Sequence, residues 1–116
     1  MTTYTDDDRQ QARNYSATAS ADTRRAEREA REAHQWYRLA ASMRASARAL
    51  TQRPQDWRTE AEHGYTRTPA DDEDRARTYE RIANTYLRSS GHHTRMAAHH
   101  RDMAASCRER AARYAS

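Results

Sequence analysis

Small residues recur at every seventh position in two long stretches of this chain, and this repeat restricts its fold more than any other feature. The first series is Ala12, Ala19, Ala26, Ala33, Ala40 and Ala47. The second series is Ala76, Ala83, Ser90, Ala97, Ala104 and Ala111. A seven-residue repeat sustained over six heptads is the period of a coiled coil, so both stretches are predicted to be long α-helices.

A second repeat lies three residues after the first, at the d position of each heptad when the small residues are labelled a. Its apolar and aromatic members are Tyr15, Trp36, Met43, Leu50, Tyr79, Tyr86 and Tyr114. Its polar members are Asp22, Glu29, His93 and His100, and Cys107 completes the series. Small a residues let two helices approach closely, and the d side chains can cover them. Because the two arms have equal length, the pattern predicts an all-α, alanine-rich antiparallel hairpin.

The expected ends of the two arms carry helix-boundary signals. Thr5 is followed by three aspartates, which is typical of an N-cap with an acidic first turn. Pro69 suits the first position of the second helix. We therefore expect one helical domain with arms at about 6–52 and 69–115, and a connection at 53–68 that could hold a short helix. The heptad phase continues through Gly91, which favours one long second helix, bent or straight, over two shorter ones.

The composition agrees with a helical chain and excludes most other fold classes. Leu and Ile number four, Val and Phe are absent, and 33% of the residues are charged, a combination typical of disorder unless the chain is helical. The 23 alanines favour helix. With two Gly, two Pro and no Val, a β-sandwich or a dinucleotide-binding fold is excluded.

The polar d residues are expected to meet between the helices. If Leu50 lies beside Ala76, the residue numbers of facing positions add up to about 126. In this register Glu29 faces the interval between His93 and His100, and Asp22 lies near His100. Buried polar groups are costly unless they pair, which predicts carboxylate–histidine contacts that set the register. Protonation of these histidines below about pH 6 should then change stability or assembly. A splayed, solvated end of the hairpin is the alternative.

An alanine-rich hairpin buries little apolar surface, so a further packing partner is predicted. The candidate partner interface consists of Tyr37, Leu39, Ile82, Met96 and Met103. Such residues are typical of dimerisation into a four-helix bundle or of docking on another protein. A homodimer is the expected assembly.

A cluster rich in histidine, methionine and cysteine in the second arm suggests an alternative, metal-binding function. The candidate ligands are His92, Met96, His99, His100, Met103 and Cys107. Spacings of three and four place them along one ladder of a helix, and imidazole, thioether and thiolate are ligands for copper or zinc. Packing of the same side chains in the bundle is the competing interpretation.

Basic charge suggests a third function, non-specific nucleic-acid binding. The net charge is +4, all 21 basic residues are Arg, and residues 75–116 hold nine Arg against three acids. Residues 35–53 hold four Arg and no acid. Arginine-rich helix faces can bind phosphates with steep salt dependence, although a solvated face is the commoner situation.

The remaining signals indicate a non-enzymatic protein in the cytoplasm. No nucleophile-elbow or glycine-rich phosphate motif is present. A single cysteine, no apolar leader and no apolar run of about 20 residues predict a reducing compartment and no membrane association. The predicted function is therefore a helical protein–protein interaction or assembly module, of which a small regulator encoded by a mobile element is one form.

Overall fold

The fold consists of two long helices, as the heptad repeats predict. A computed structural model of the chain describes residues 5–52 and 69–115. Helix α1 spans Asp6–Gln52 and helix α2 spans Pro69–Ala115, each with 47 residues. Within these two ranges there is no β-strand. The prediction of an all-α antiparallel hairpin is confirmed, whereas the predicted short helix in the connection lies outside the described residues.

Helix α1 begins with a reciprocal capping interaction. The backbone N–H of Asp8 donates to Thr5 Oγ1 at 3.1 Å, and the backbone N–H of Thr5 donates to Asp8 Oδ2 at 2.9 Å. Both bonds satisfy amides that have no partner inside the helix, and the acidic first turn complements the helix dipole. The N-cap predicted from the sequence is therefore present.

The small a residues form the core of the hairpin. All buried alanines belong to the two heptad series: Ala19, Ala26, Ala33, Ala40, Ala47, Ala76, Ala83, Ala97, Ala104 and Ala111. Cys107 is the other buried hydrophobic residue, and the aromatic d residues are half-buried. Among the described residues, no apolar side chain larger than that of cysteine is buried.

Helix α2 continues without interruption through Ser89, Ser90 and Gly91. A Cβ atom built on Gly91 would lie 3.4 Å from Nη1 of Arg95, which is ordinary van der Waals contact with a flexible side chain. The helical conformation at this position therefore does not require glycine.

The described residues divide into two compact units, each made of one segment from each helix. The first unit holds residues 5–33 and 91–115, and the second holds residues 34–52 and 69–90. In the first unit, Tyr15 contacts Tyr114 and Glu29 contacts His93, so the two segments run antiparallel. In the second unit, Trp36 of α1 contacts Tyr86 of α2.

Neither helix, within the part of the chain that the structure describes, has both the length and the apolar character needed to cross a membrane.

Candidate functional site

Two carboxylate–histidine pairs join the helices of the first unit. The Nδ1–H of His93 donates a hydrogen bond to Oε2 of Glu29. One heptad away, Nδ1 of His100 lies 3.4 Å from Oδ1 of Asp22. Both pairs agree with the predicted register, in which the numbers of facing residues add up to about 126. Glu29 faces the interval between His93 and His100, and Asp22 faces the interval between His100 and Cys107.

The Asp22 pair is the more deeply buried of the two. Asp22 is 4% exposed, and its Oδ1 accepts a hydrogen bond of 3.2 Å from Nη1 of Arg25 on the same helix. Nδ1 of His100 is buried and makes no hydrogen bond within the described residues, although it lies close to this carboxylate. Asp22 is thus a buried charge held between a guanidinium and an imidazole.

The contact with His93 changes the acidity of Glu29. The hydrogen bond from His93 lowers the pKa of Glu29 below its ordinary value of 4.5, and the positive potential of His93, His100 and His92 acts in the same direction. Partial burial opposes this effect by disfavouring the charged form. The ionised carboxylate is therefore the form that the first unit favours.

Three further contacts join the helices of the first unit, and the sequence did not predict them. Nη2 of Arg108 donates a 2.6 Å hydrogen bond to Oγ1 of Thr23, whose hydroxyl donates in turn to the backbone oxygen of Ala19 at 2.9 Å. The rings of Tyr15 and Tyr114 stack with centroids 5.8 Å apart. The guanidinium carbon of Arg110 lies 5.8 Å from the Tyr15 ring centroid. Thr23 and Arg108 both occupy heptad position e, and this shared position is the signal that could have identified them.

The candidate metal ligands of the second arm differ in exposure. Exposed members are His92, His99 and Met103, whereas Met96 and His100 are half-buried and Cys107 is buried between the helices. The rings of His92 and His93 meet edge to face at 5.3 Å, and those of His99 and His100 at 5.6 Å. Within residues 5–52 and 69–115, no three His, Cys, Asp or Glu side chains are grouped so that they could hold a metal ion. Binding of copper or zinc through a set that includes methionine stays a prediction.

Aromatic d residues meet each other in the second unit. The register places Trp36 opposite Ser90, but the Trp36 ring also contacts Tyr86, with centroids 5.2 Å apart and planes tilted by 45°. The large Trp36 ring extends past the small Ser90 and reaches Tyr86, which occupies the d position one turn away on α2. The d residues Met43, Leu50 and Tyr79 of this unit are likewise half-buried.

Large apolar side chains of the second unit are also exposed outside the seam. Tyr37 is 58% exposed and Leu39 is 45% exposed, while Ile82 is half-buried. Tyr37 and Leu39 are two residues apart, which corresponds to about 200° around a helix, so they lie on opposite flanks of α1. The predicted interface included both residues, but the geometry of the helix puts them on different flanks.

A cleft lies on the Tyr37 flank of the second unit. It has a volume of about 200 Å³. Its lining residues are Tyr37, Ala40, Ala41, Arg44, Arg48 and Leu87. Leu87 was not among the predicted interface residues. Its heptad position e, which Tyr37 and Arg44 share, could have indicated that it lies on the same flank. On the other flank, Gln35, Arg38 and Leu39 border a shallow, open depression of about 470 Å³.

Comparison of this chain with protein-family models, curated proteins and solved structures found no match.

Proposed function

We propose that this protein is a non-enzymatic helical assembly module that associates with a second copy of itself to form a four-helix bundle. The observation that carries the proposal is the small size of the core. Among the described residues, the helices bury alanines and Cys107, while every larger apolar side chain keeps part of its surface in contact with water. Packing of a second hairpin would remove that surface from water.

The flank that carries Leu39 is the proposed contact surface in the second unit. Leu39 and Ile82 both occupy heptad position g, beside the alanine seam, and both retain exposed surface. Position g residues of facing helices meet in antiparallel bundles, and a two-fold contact uses the same patch on both copies. Leu39 therefore provides the most exposed apolar contact of this flank.

Light scattering on the purified chain tests the proposal. A dimer has a mass near 27 kDa, twice the 13.5 kDa of one chain. Leu39→Glu should lower the mass toward that of the monomer, because it would bury a carboxylate in the contact. Ala45→Glu is the matched control, since Ala45 is exposed at heptad position f, away from the seam. Circular dichroism would establish that both variants keep their helix content.

The same preparation separates the two other functions. A monomeric mass at all concentrations would contradict self-assembly. Copper or zinc present at a fixed ratio to protein, in material purified without chelator or metal-affinity resin, would favour the metal-binding function instead. Strong, salt-sensitive retardation of a mixed-sequence duplex would favour the nucleic-acid function.

A further inference from the structure

The cleft on the Tyr37 flank combines an apolar interior with two arginines at one end, and this combination identifies a class of ligand. Tyr37, Ala40 and Ala41 of α1 and Leu87 of α2 are its apolar lining residues, and Arg44 and Arg48 of α1 complete the lining. The lining residues of α1 follow the i, i+3, i+4, i+7 and i+11 positions of one helix face. The cleft is therefore a short track that changes from apolar to cationic along α1.

The two arginines of this track are unpaired within residues 5–52 and 69–115. Arg44 and Arg48 are exposed, and neither side chain forms an ion pair or hydrogen bond with the described residues. The exposed acidic residues at the start of α2 and shortly after it are Asp71, Glu73, Asp74 and Glu80. Asp74 pairs with Arg77, and none of these carboxylates pairs with Arg44 or Arg48. No Asp or Glu occurs between residues 35 and 53, so α1 supplies no counter-charge here.

The size of the cleft favours a side chain as ligand over a free small molecule. Small-molecule sites in proteins usually enclose about 300–1,000 Å³, whereas this cleft has about 200 Å³. One or two apolar side chains fill such a space. Arg44 and Arg48 lie one turn apart on the same face, so two carboxylates at a similar spacing can meet them.

We propose that this cleft binds an acidic amphipathic helix of a partner protein. A Leu or Phe of that helix enters the space between Tyr37 and Leu87, and its Glu or Asp side chains one to two turns away pair with Arg44 and Arg48. This is the helix-in-groove form of recognition, with charge setting the direction of the ligand. The site lies on the flank opposite Leu39, so it does not depend on the proposed self-association.

A displayed peptide library tests this proposal on the full chain. The library consists of alanine-based helices of about 18 residues, a length of roughly 27 Å. Positions on one face vary among Leu, Phe, Glu, Lys and Ser. We expect selection to enrich peptides that carry Leu or Phe with Glu one or two turns away. The affinity of one enriched peptide is then measured by fluorescence anisotropy at about 150 mM salt.

Variants of the chain identify where the enriched peptide binds. The double variant Arg44→Glu/Arg48→Glu should weaken binding by about tenfold or more, because both favourable charge contacts become repulsive. Tyr37→Ala should weaken binding without changing its salt dependence. The control Arg24→Glu/Arg28→Glu makes the same charge change at two exposed residues of the first unit with the same spacing, and should keep the affinity. Leu39→Glu should also keep the affinity for the peptide, even if this substitution abolishes the dimer.

Several results would overturn the proposal. One is enrichment of basic or uncharged peptides, or of no helix at all. Another is an equal loss of affinity in the Arg44→Glu/Arg48→Glu chain and its control, which would indicate attraction by net charge alone. Complete competition by a mixed-sequence single-stranded DNA would assign the arginines to nucleic-acid binding.

Discussion

The carboxylate–histidine pairs are the most specific residue-level feature of this protein. Two carboxylates on α1 lie opposite two histidines on α2, in a seam whose a positions hold small residues and whose other d positions are mainly aromatic or apolar. Moving one helix by a heptad would leave a carboxylate beside an apolar partner, which is costly for a partly buried charge. The pairs therefore favour a single register, as polar seam residues do in coiled coils.

Glu29 makes this account testable through pH. Its folded-state pKa lies below the ordinary value of 4.5, chiefly because of the hydrogen bond from His93. A lowered pKa means that the ionised group stabilises the fold above about pH 4.5 and that this contribution is lost as the pH falls through the folded-state pKa. Between pH 5 and pH 3, thermal unfolding should show a smaller loss of stability in Glu29→Gln than in the unmodified chain.

Glu27→Gln is the matched control for this pH experiment, since Glu27 is exposed on the outer side of the same helix. It should follow the unmodified chain throughout. If Glu29→Gln and Glu27→Gln gave the same pH profile, the hydrogen bond with His93 would have no energetic role.

Contacts at the residue scale were only partly predictable from the sequence. The heptad positions and the predicted register placed Asp22 and Glu29 beside the correct histidines, because a repeat of seven residues fixes which positions face each other. The sequence could not show that His93 forms a hydrogen bond while Nδ1 of His100 has no hydrogen-bond partner among the described residues, since that difference depends on side-chain angles. The contact between Thr23 and Arg108 was missed because neither residue belongs to the apolar pattern.

At the scale of the elements, the heptad repeat and the capping signals were the informative parts of the sequence. The helices start at Asp6 and Pro69, beside an N-cap threonine and at a proline whose fixed φ suits a first helical position. The distribution of apolar residues between the flanks was harder to assign. Tyr37 and Leu39 are close in sequence, yet a helix turns by about 100° per residue and puts them on opposite flanks.

The continuity of α2 at Gly91 leads to a stability prediction. Glycine inside a helix costs about 0.5–1 kcal/mol relative to alanine, and a Cβ at this position meets no closer atom than the end of the Arg95 side chain. Gly91→Ala should therefore raise the free energy of unfolding by about that amount, as measured by urea denaturation. Ala98→Gly, one heptad later at an exposed position, should lower it by a similar amount. Destabilisation by Gly91→Ala would indicate a turn at this position.

For the whole molecule, the small core is the property that most needs explanation. Burial of a methyl group contributes about 0.8 kcal/mol, compared with about 1.5–3 kcal/mol for a leucine or phenylalanine side chain. Ten alanines and one cysteine make up the buried apolar residues that the structure describes. Ordering the backbone costs about 1–2 kcal/mol per residue, so two helices joined by such a seam need additional buried surface. The proposed association of two chains would supply it.

Concentration-dependent thermal unfolding is the most direct test of this central claim. If folding and association are coupled, the midpoint temperature followed by circular dichroism rises with protein concentration, because mass action favours the assembled state. We predict a clear increase between about 1 and 100 μM chain, and a weaker one for Leu39→Glu. A midpoint that stays constant over this range in the unmodified chain, together with a mass of 13.5 kDa, would contradict the account. The alanine seam would then be sufficient to hold the hairpin on its own.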